Sequence, residues 1–168
     1  MHPEKTEHAF RELLPHAKES SDLAYYAELL TQIGRTLGLQ RKFDDAHKTL
    51  DEALPLLDEA HPRARVRYML ERGRVFNSAG EKDKAKPLFI DAWNIARNAN
   101  EDVFAVDAAH MIAIIETSDE ALKWSETAVA FAEQSPNIAA KNWLGSLYNN
   151  IGWTYHGKGE YKKALDYF

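Results

Sequence analysis

LYNNIGWTYHGKGEYKKALDYF, residues 147–168, holds two small residues, Gly152 and Ala164, separated by 12 positions, with Gly159 between them. Three residues after Gly152 stands Tyr155, and four after Ala164 stands Phe168. The same 12-residue spacing recurs upstream in Gly34 and Ala46, Gly73 and Ala85, and Ala109 and Ala121. In these three units the residues three after the first small one are Leu37, Phe76 and Ile112, and those four after the second are Leu50, Phe89 and Ser125. Ala53, Ala92 and Ala128 follow seven after the second small residue. Spacing inside a unit is fixed, whereas the first small residues lie 39, 36 and 43 apart from one unit to the next. A pair of antiparallel helices with one tight crossing requires this pattern: small residues admit close approach, and larger apolar ones fill the space around it.

Outside these positions the chain is helical in period. Leu29, Leu30, Ile33 and Leu37, and again Ala85, Leu88, Phe89, Ala92, Trp93 and Ala96, recur at three and four spacings, each set lying on one helix face. Runs of alternating β-branched and aromatic residues, and Asn-Gly or Asp-Gly turns between them, are missing, so the predicted class is all-α. About nine helices are expected, over 5–18, 22–39, 42–57, 62–79, 82–98, 101–116, 118–134, 137–157 and 160–168. Pro62 and Pro136 fall in predicted first turns, Ser135 and Thr117 are placed as N-caps, and Pro15 and Pro55 are expected to kink or end their helices.

Composition narrows the function classes. The chain has 168 residues, 45% hydrophobic and 28% charged, without cysteine, the balance of one globular domain without disulfides. No apolar run approaches the roughly 18 residues of a membrane span, and MHPEKTEHAF lacks the basic-then-apolar order of a secretory signal, so a cytoplasmic location is the expectation. A net charge of −5 argues against a general nucleic-acid binder.

Catalytic and metal signals do not assemble. Asp44/Asp45, Glu101/Asp102 and Asp119/Glu120 each fall in a predicted first turn, where the helix dipole favours acids, and sequence neighbours diverge by about 100° around a helix. The histidines at 2, 8, 16, 47, 61, 110 and 156 form no HExxH pair. Gly152 to Gly159 approaches a phosphate loop, but Gly159 replaces the hydroxyl residue and no strand precedes it. Neither a cofactor nor a metal is expected, and the chain is read as no enzyme.

Residues 147–168 resemble the tetratricopeptide repeat family through Gly152, Tyr155, Gly159, Tyr161, Ala164 and Phe168 in order. RYMLERGRVFNSAGEKDKAKPLFIDAW, residues 67–93, is similar through Gly73, Phe76, Gly80, Ala85, Phe89 and Ala92, and the first unit through Gly34, Phe43, Ala46 and Ala53. The third unit departs most, with Ala109 for glycine and Ser125 for the bulky residue. The resemblance covers residues 22–168 and implies a long-period form: a right-handed solenoid of four antiparallel helix pairs, the last incomplete, preceded over 1–21 by a capping helix or half repeat.

The resemblance also implies that one face of each unit's first helix lines a concave groove. On that register Arg35, Arg67, Arg74, Asn77, His110, Ser146, Asn149, Trp153 and His156 take the lining positions, tempered by Glu28 and Asp107. Five arginines at 63, 65, 67, 72 and 74 crowd one stretch; a solvated, acid-paired face is the alternative for them. The implied function is a noncatalytic protein or peptide interaction module whose basic, amide-rich groove takes an extended or helical partner segment, with acidic groups suited to its arginines. A homo-oligomeric scaffold, or the ligand-sensing domain of a larger regulatory protein, is the alternative. Replacing Arg35 and Arg74 together is expected to weaken binding with little change in melting temperature. Ile151, Tyr155, Tyr161, Leu165 and Phe168 are expected to be partly uncovered, offering a homodimer contact or a junction to further repeats.

Overall fold

The computed structural model describes residues 2–168, apart from the side chain of Ser118. Ten α-helices and one 3-10 turn follow one another, and no strand forms among the described residues. They are α1 (Pro3–Glu19), α2 (Leu23–Leu39), α3 (Phe43–Ala53), α4 (Pro62–Ser78), α5 (Lys82–Asn98), α6 (Asp102–Ile115), α7 (Ser118–Gln134), α8 (Ile138–Lys141), α9 (Leu144–Gly157) and α10 (Tyr161–Tyr167). The chain divides into two compact units, one ending at Ile95 and the other spanning Ala96–Phe168.

Each expected helix is present, with local differences. The one predicted over 137–157 runs as α8 and α9, interrupted by a turn at Asn142 and Trp143. Asn137 caps α8, its side chain accepting from Ala139 N at 2.9 Å, whereas Ser135 terminates α7 instead of starting a helix. Thr117 precedes α7 without a capping bond from its side chain. Pro55 ends α3 as expected, converting its last turn to the 3-10 segment Leu54–Leu56. Pro15 does not end α1, which continues to Glu19.

Crossings obey the small-residue register. A Cβ on Gly34 would lie 2.9 Å from Leu50 Cγ, one on Gly152 would lie 2.7 Å from Phe168 Cε1, and one on Gly73 would overlap the Phe89 ring. So α2 meets α3, α4 meets α5, and α9 meets α10, with a bulky side chain of the second helix seated on a bare patch of the first. Ala46, Ala85 and Ala164 are buried beside these contacts.

The turns repeat as well. Seven residues after each glycine comes Arg41, Gly80 or Gly159, with φ of 60°, 88° and 77°. The next amide donates back across the turn: Lys42 N to Leu37 O at 3.0 Å, Glu81 N to Phe76 O at 2.8 Å, and Glu160 N to Tyr155 O at 3.0 Å. Arg41, Gly80 and Gly159 amides donate to Gly38, Asn77 and His156 carbonyls, all at 3.0 Å. These are Schellman closures, in which a left-handed residue lets two amides satisfy carbonyls of the helix end. The third pair ends otherwise: Glu116, seven after Ala109, is extended, with φ −79° and ψ 166°.

In the first unit the core consists of Ala17, Leu29, Ile33, Leu37, Ala46, Leu50 and Val75, flanked by Phe10, Leu14, Tyr26, Phe43 and Tyr68. Through Phe10, Leu14 and Ala17, α1 therefore shares the core of α2 and α3. In the second unit Val106, Ala109, Ile112, Ala128, Leu147, Ile151 and Ala164 are buried. Ile151 thus differs from the expectation of partial exposure. Tyr155 is half-buried and stacked on Tyr167 at 5.6 Å, while Trp153, Tyr161, Leu165 and Phe168 are exposed.

Gly73→Leu and Ala85→Leu should each lower stability by about 1 to 3 kcal/mol, because a longer side chain forces the seated Phe89 and its helix away. Thermal melts check this, and unchanged midpoints for both variants would place the tight crossing elsewhere.

Candidate functional site

The candidate residues separate into a basic set on the first unit and an amide and aromatic set on the second. On the first unit, α2 and α4 lie side by side, and Glu71 of α4 is buried between arginines from both helices. Arg35 Nη1 donates to its carboxylate oxygens at 3.2 and 3.1 Å, and Arg74 Nη1 donates to Oε1 at 2.7 Å. The Glu71 side chain is 7% exposed, that of Arg74 17% and that of Arg35 41%. One carboxylate thus holds two guanidiniums, of which that of Arg35 is the more exposed. Arg67 faces Glu28 at 3.6 Å. Asn77 is half-buried near the end of α4, where its carbonyl closes the turn to Gly80.

Arg72 points into different company. Its guanidinium donates to His47 Nδ1 at 2.8 Å, to Tyr68 Oη at 3.2 Å and to the carboxylate of Asp51, tying α4 to α3. Burial, and then the adjacent Arg72 charge, hold His47 below the ordinary imidazole range. This matches the bond, since only neutral imidazole can accept from arginine. Arg35, Arg67, Arg72 and Arg74 are therefore each placed against an acid.

On the second unit, α6, α7 and α9 enclose a concavity of about 540 Å³, lined by His110, Ala113, Ile114, Ala121, Ser125, Trp143, Ser146, Asn149, Asn150 and Thr154. Of the predicted residues it brings together His110, Ser146 and Asn149, from positions far apart in sequence. The His110 ring lies 5.5 Å from that of Trp143, tilted by 59°, and its Nδ1 is 3.4 Å from Asn150 Nδ2. Ser125 Oγ donates to Ala121 O at 2.8 Å, and Thr154 Oγ1 to Asn150 O at 3.0 Å, so both hydroxyl protons are turned into the helices.

Trp153 does not line this concavity. Its ring meets His156 at 5.3 Å and Phe168 at 5.5 Å, and the residue is 59% exposed. Trp143 supplies the aromatic wall instead. Sequence periodicity missed it because it sits in the break between α8 and α9, where no helical register applies. Across this unit Lys158 bonds Asp119 at 2.6 Å and Tyr148 donates to Glu133 at 2.6 Å, fastening α9 to α7. Among the described residues no group of three or more histidine, aspartate or glutamate side chains is arranged to hold a metal ion, and no helix is long and apolar enough to cross a membrane.

The family model for the tetratricopeptide repeat matches residues 145–168, which take in Gly152 seated under Phe168 and the Gly159 turn. No curated protein sequence matches the chain. Among solved structures, the apo form of RapI superposes with a TM-score of 0.74 at 16% identity, over 96% of this chain and 45% of that one. BtubC (BKLC) from P. vanneervenii gives a TM-score of 0.74 at 16% identity, over 98% of this chain and 70% of that one. The chain spans less than half of RapI. These likenesses establish the fold, an all-α solenoid of helix pairs.

The shared Glu71 revises the expectation for the arginine pair. Arg35→Ala alone should cost no more than about 1 kcal/mol, as for a partly exposed ion pair. Removing Arg35 and Arg74 together strands a buried carboxylate and should cost about 3 to 5 kcal/mol. Adding Glu71→Gln to that double variant should restore most of the loss in a thermal melt. A double variant as stable as the parent would show that Glu71 does not depend on them.

Proposed function

We propose that this chain is a noncatalytic recognition module, which binds an extended segment of a partner protein through side chains on the first helices of its pairs. The carrying observation is the convergence of His110, Ser146 and Asn149, from α6 and α9, on one concavity with Asn150 and Trp143. Carboxamides offer both a donor and acceptors to a peptide main chain, and an indole face offers apolar area at small entropic cost. The first unit adds a separate basic element, where the half-exposed Arg35 is held beside Glu71. An acidic group fits the first surface, and a neutral main-chain stretch fits the second. A cytoplasmic setting agrees with the absence of cysteine.

A homodimeric scaffold is the second reading, favoured by the exposed Trp153, Tyr161, Leu165 and Phe168. Lys162 and Asp166 lie on one flank of that face, so a two-fold related copy of α10 would set opposite charges together.

Selection from a random peptide library displayed on phage, against the immobilised chain, tests the first reading. Enriched peptides should bind with micromolar Kd, weaken at least tenfold in Asn149→Ala, and lose their acidic preference in the Arg35→Ala/Glu71→Gln/Arg74→Ala variant. Failure to enrich any sequence, together with a dimer in light scattering that dissociates in Leu165→Glu, would replace recognition by self-assembly.

A further inference from the structure

Within the first unit α4 is gripped from two sides, and the two grips differ in chemistry. Towards α2 it is held by Glu71 with Arg35, by Arg67 facing Glu28, and by Val75 lying against Gly38. Carboxylates and guanidiniums of this kind keep their charge throughout the neutral range. Towards α3 it is held by the buried Arg72, which donates to His47 Nδ1 at 2.8 Å and to the carboxylate of Asp51. The Asp51 side chain is 66% exposed, so water screens that pair. His47 is half-buried, with its ring 4.5 Å from that of Phe76 and tilted by 42°. Its Nδ1 accepts from Arg72 only while the ring is neutral and carries its proton on Nε2. The α3 side of α4 therefore depends on an acceptor that a single proton removes.

We propose that His47 is a pH-sensitive latch between α3 and α4: neutral, it receives Arg72 and closes the seam; protonated on Nδ1, it repels Arg72 and loosens α3, while α4 stays on α2. The proton comes from solvent and turns Nδ1 from acceptor to donor. Two cationic donors then stand 2.8 Å apart with no lone pair between them. Charged groups face the ring from three elements. Asp44 and Asp51 of α3 and Glu81 of the turn before α5 favour the charged ring, and Arg72 of α4 opposes it. Tyr68, the other partner of Arg72 on α4, is uncharged at neutral pH. Lys84 of α5 lies 5.4 Å from the Phe76 ring and is bonded to Glu81, which weakens the pull of that acid. Burial and Arg72 outweigh the three acids and hold His47 below the ordinary imidazole value of about 6.5. A detached α3 takes up the proton at about pH 6.5, and the latched ring takes it up only at lower pH. The seam is therefore at full strength above about pH 6.5 and weakens as pH falls through the latched value. The Glu71 pairs are untouched, so the device acts on α3 and leaves the basic element of α2 and α4 assembled.

NMR of the isotopically labelled full chain, from about pH 7.5 down to about pH 4.5, tests the latch. The His47 ring should titrate below the ordinary imidazole value. Protection of the α3 amides from hydrogen exchange, corrected for the intrinsic pH dependence of exchange, should fall at least tenfold as it does so, with α2 amides unchanged. His47→Asn puts a carboxamide oxygen near the place of Nδ1, an acceptor that does not titrate, and should remove the pH dependence of α3. Arg72→Met should raise the His47 midpoint to the ordinary value or above. If Arg72→Met does not fold, Asp51→Asn, at an exposed position, should lower the midpoint further. A His47 midpoint at or above the ordinary value in the parent chain would overturn the latch. So would α3 protection that does not follow the His47 titration, that falls equally in His47→Asn, or that is lost together with protection of α2.

Discussion

Close approach of two helices over a residue without a Cβ is the constraint on which the rest of the molecule depends. Where Gly34, Gly73 and Gly152 leave the backbone bare, Leu50, Phe89 and Phe168 lie directly on it. That contact fixes the depth of packing and rotates each second helix so that the alanine four residues earlier turns inward. A connection matching this geometry must reverse the chain within a few residues. The left-handed residues at 41, 80 and 159 do so at a constant distance from the crossing. Two of the three are glycines, for which that conformation carries no steric penalty. Arg41 adopts it with φ 60° and lays its guanidinium 5.4 Å from the Phe43 ring, a contact that offsets part of the cost.

Release from the constraint has the opposite effect. The third pair has an alanine where the others have glycine and a serine where they have Leu or Phe, and its turn at Glu116 is extended. Other contacts hold the second unit there: Lys158 with Asp119, Tyr148 with Glu133, and Ser135 with Asp102. Polar bonds between helices can keep elements together without filling the space between them, whereas a seated ring does both. The regular pairs therefore seat a bulky side chain on a glycine, and the irregular one is buried without it.

This division also explains what could be read from the sequence. The 12-residue spacing is a packing constraint carried by residue size, and size is explicit in a sequence, so all nine predicted helices and three of the crossings correspond to the structure. Pro55 acted as its chemistry predicts because it falls where α3 has already made its buried contacts. Pro15 does not end its helix: Phe10, Leu14 and Ala17 stand on both sides of it in the core shared with α2. Trp143 was illegible because it belongs to a break, and Ile151 was misplaced because the period alone does not say which neighbour covers a face.

Charge was the least legible layer. Seven-residue spacing puts Arg67 and Arg74 on one side of α4, but the identity of a counterion depends on which helix lies beside it. Glu71 follows Arg67 by only four residues, yet it serves Arg74 and, from α2, Arg35, whereas Arg67 turns to Glu28. A carboxylate buried between two guanidiniums is tolerated because both its oxygens are bonded, and Arg35 is the more exposed of its two partners. The consequence for recognition is that Arg35 is half-exposed and held in a fixed position by Glu71, where counting arginines would suggest a broad basic surface. A single anchored charge selects where an acidic group sits, while a diffuse patch would mainly accelerate encounter.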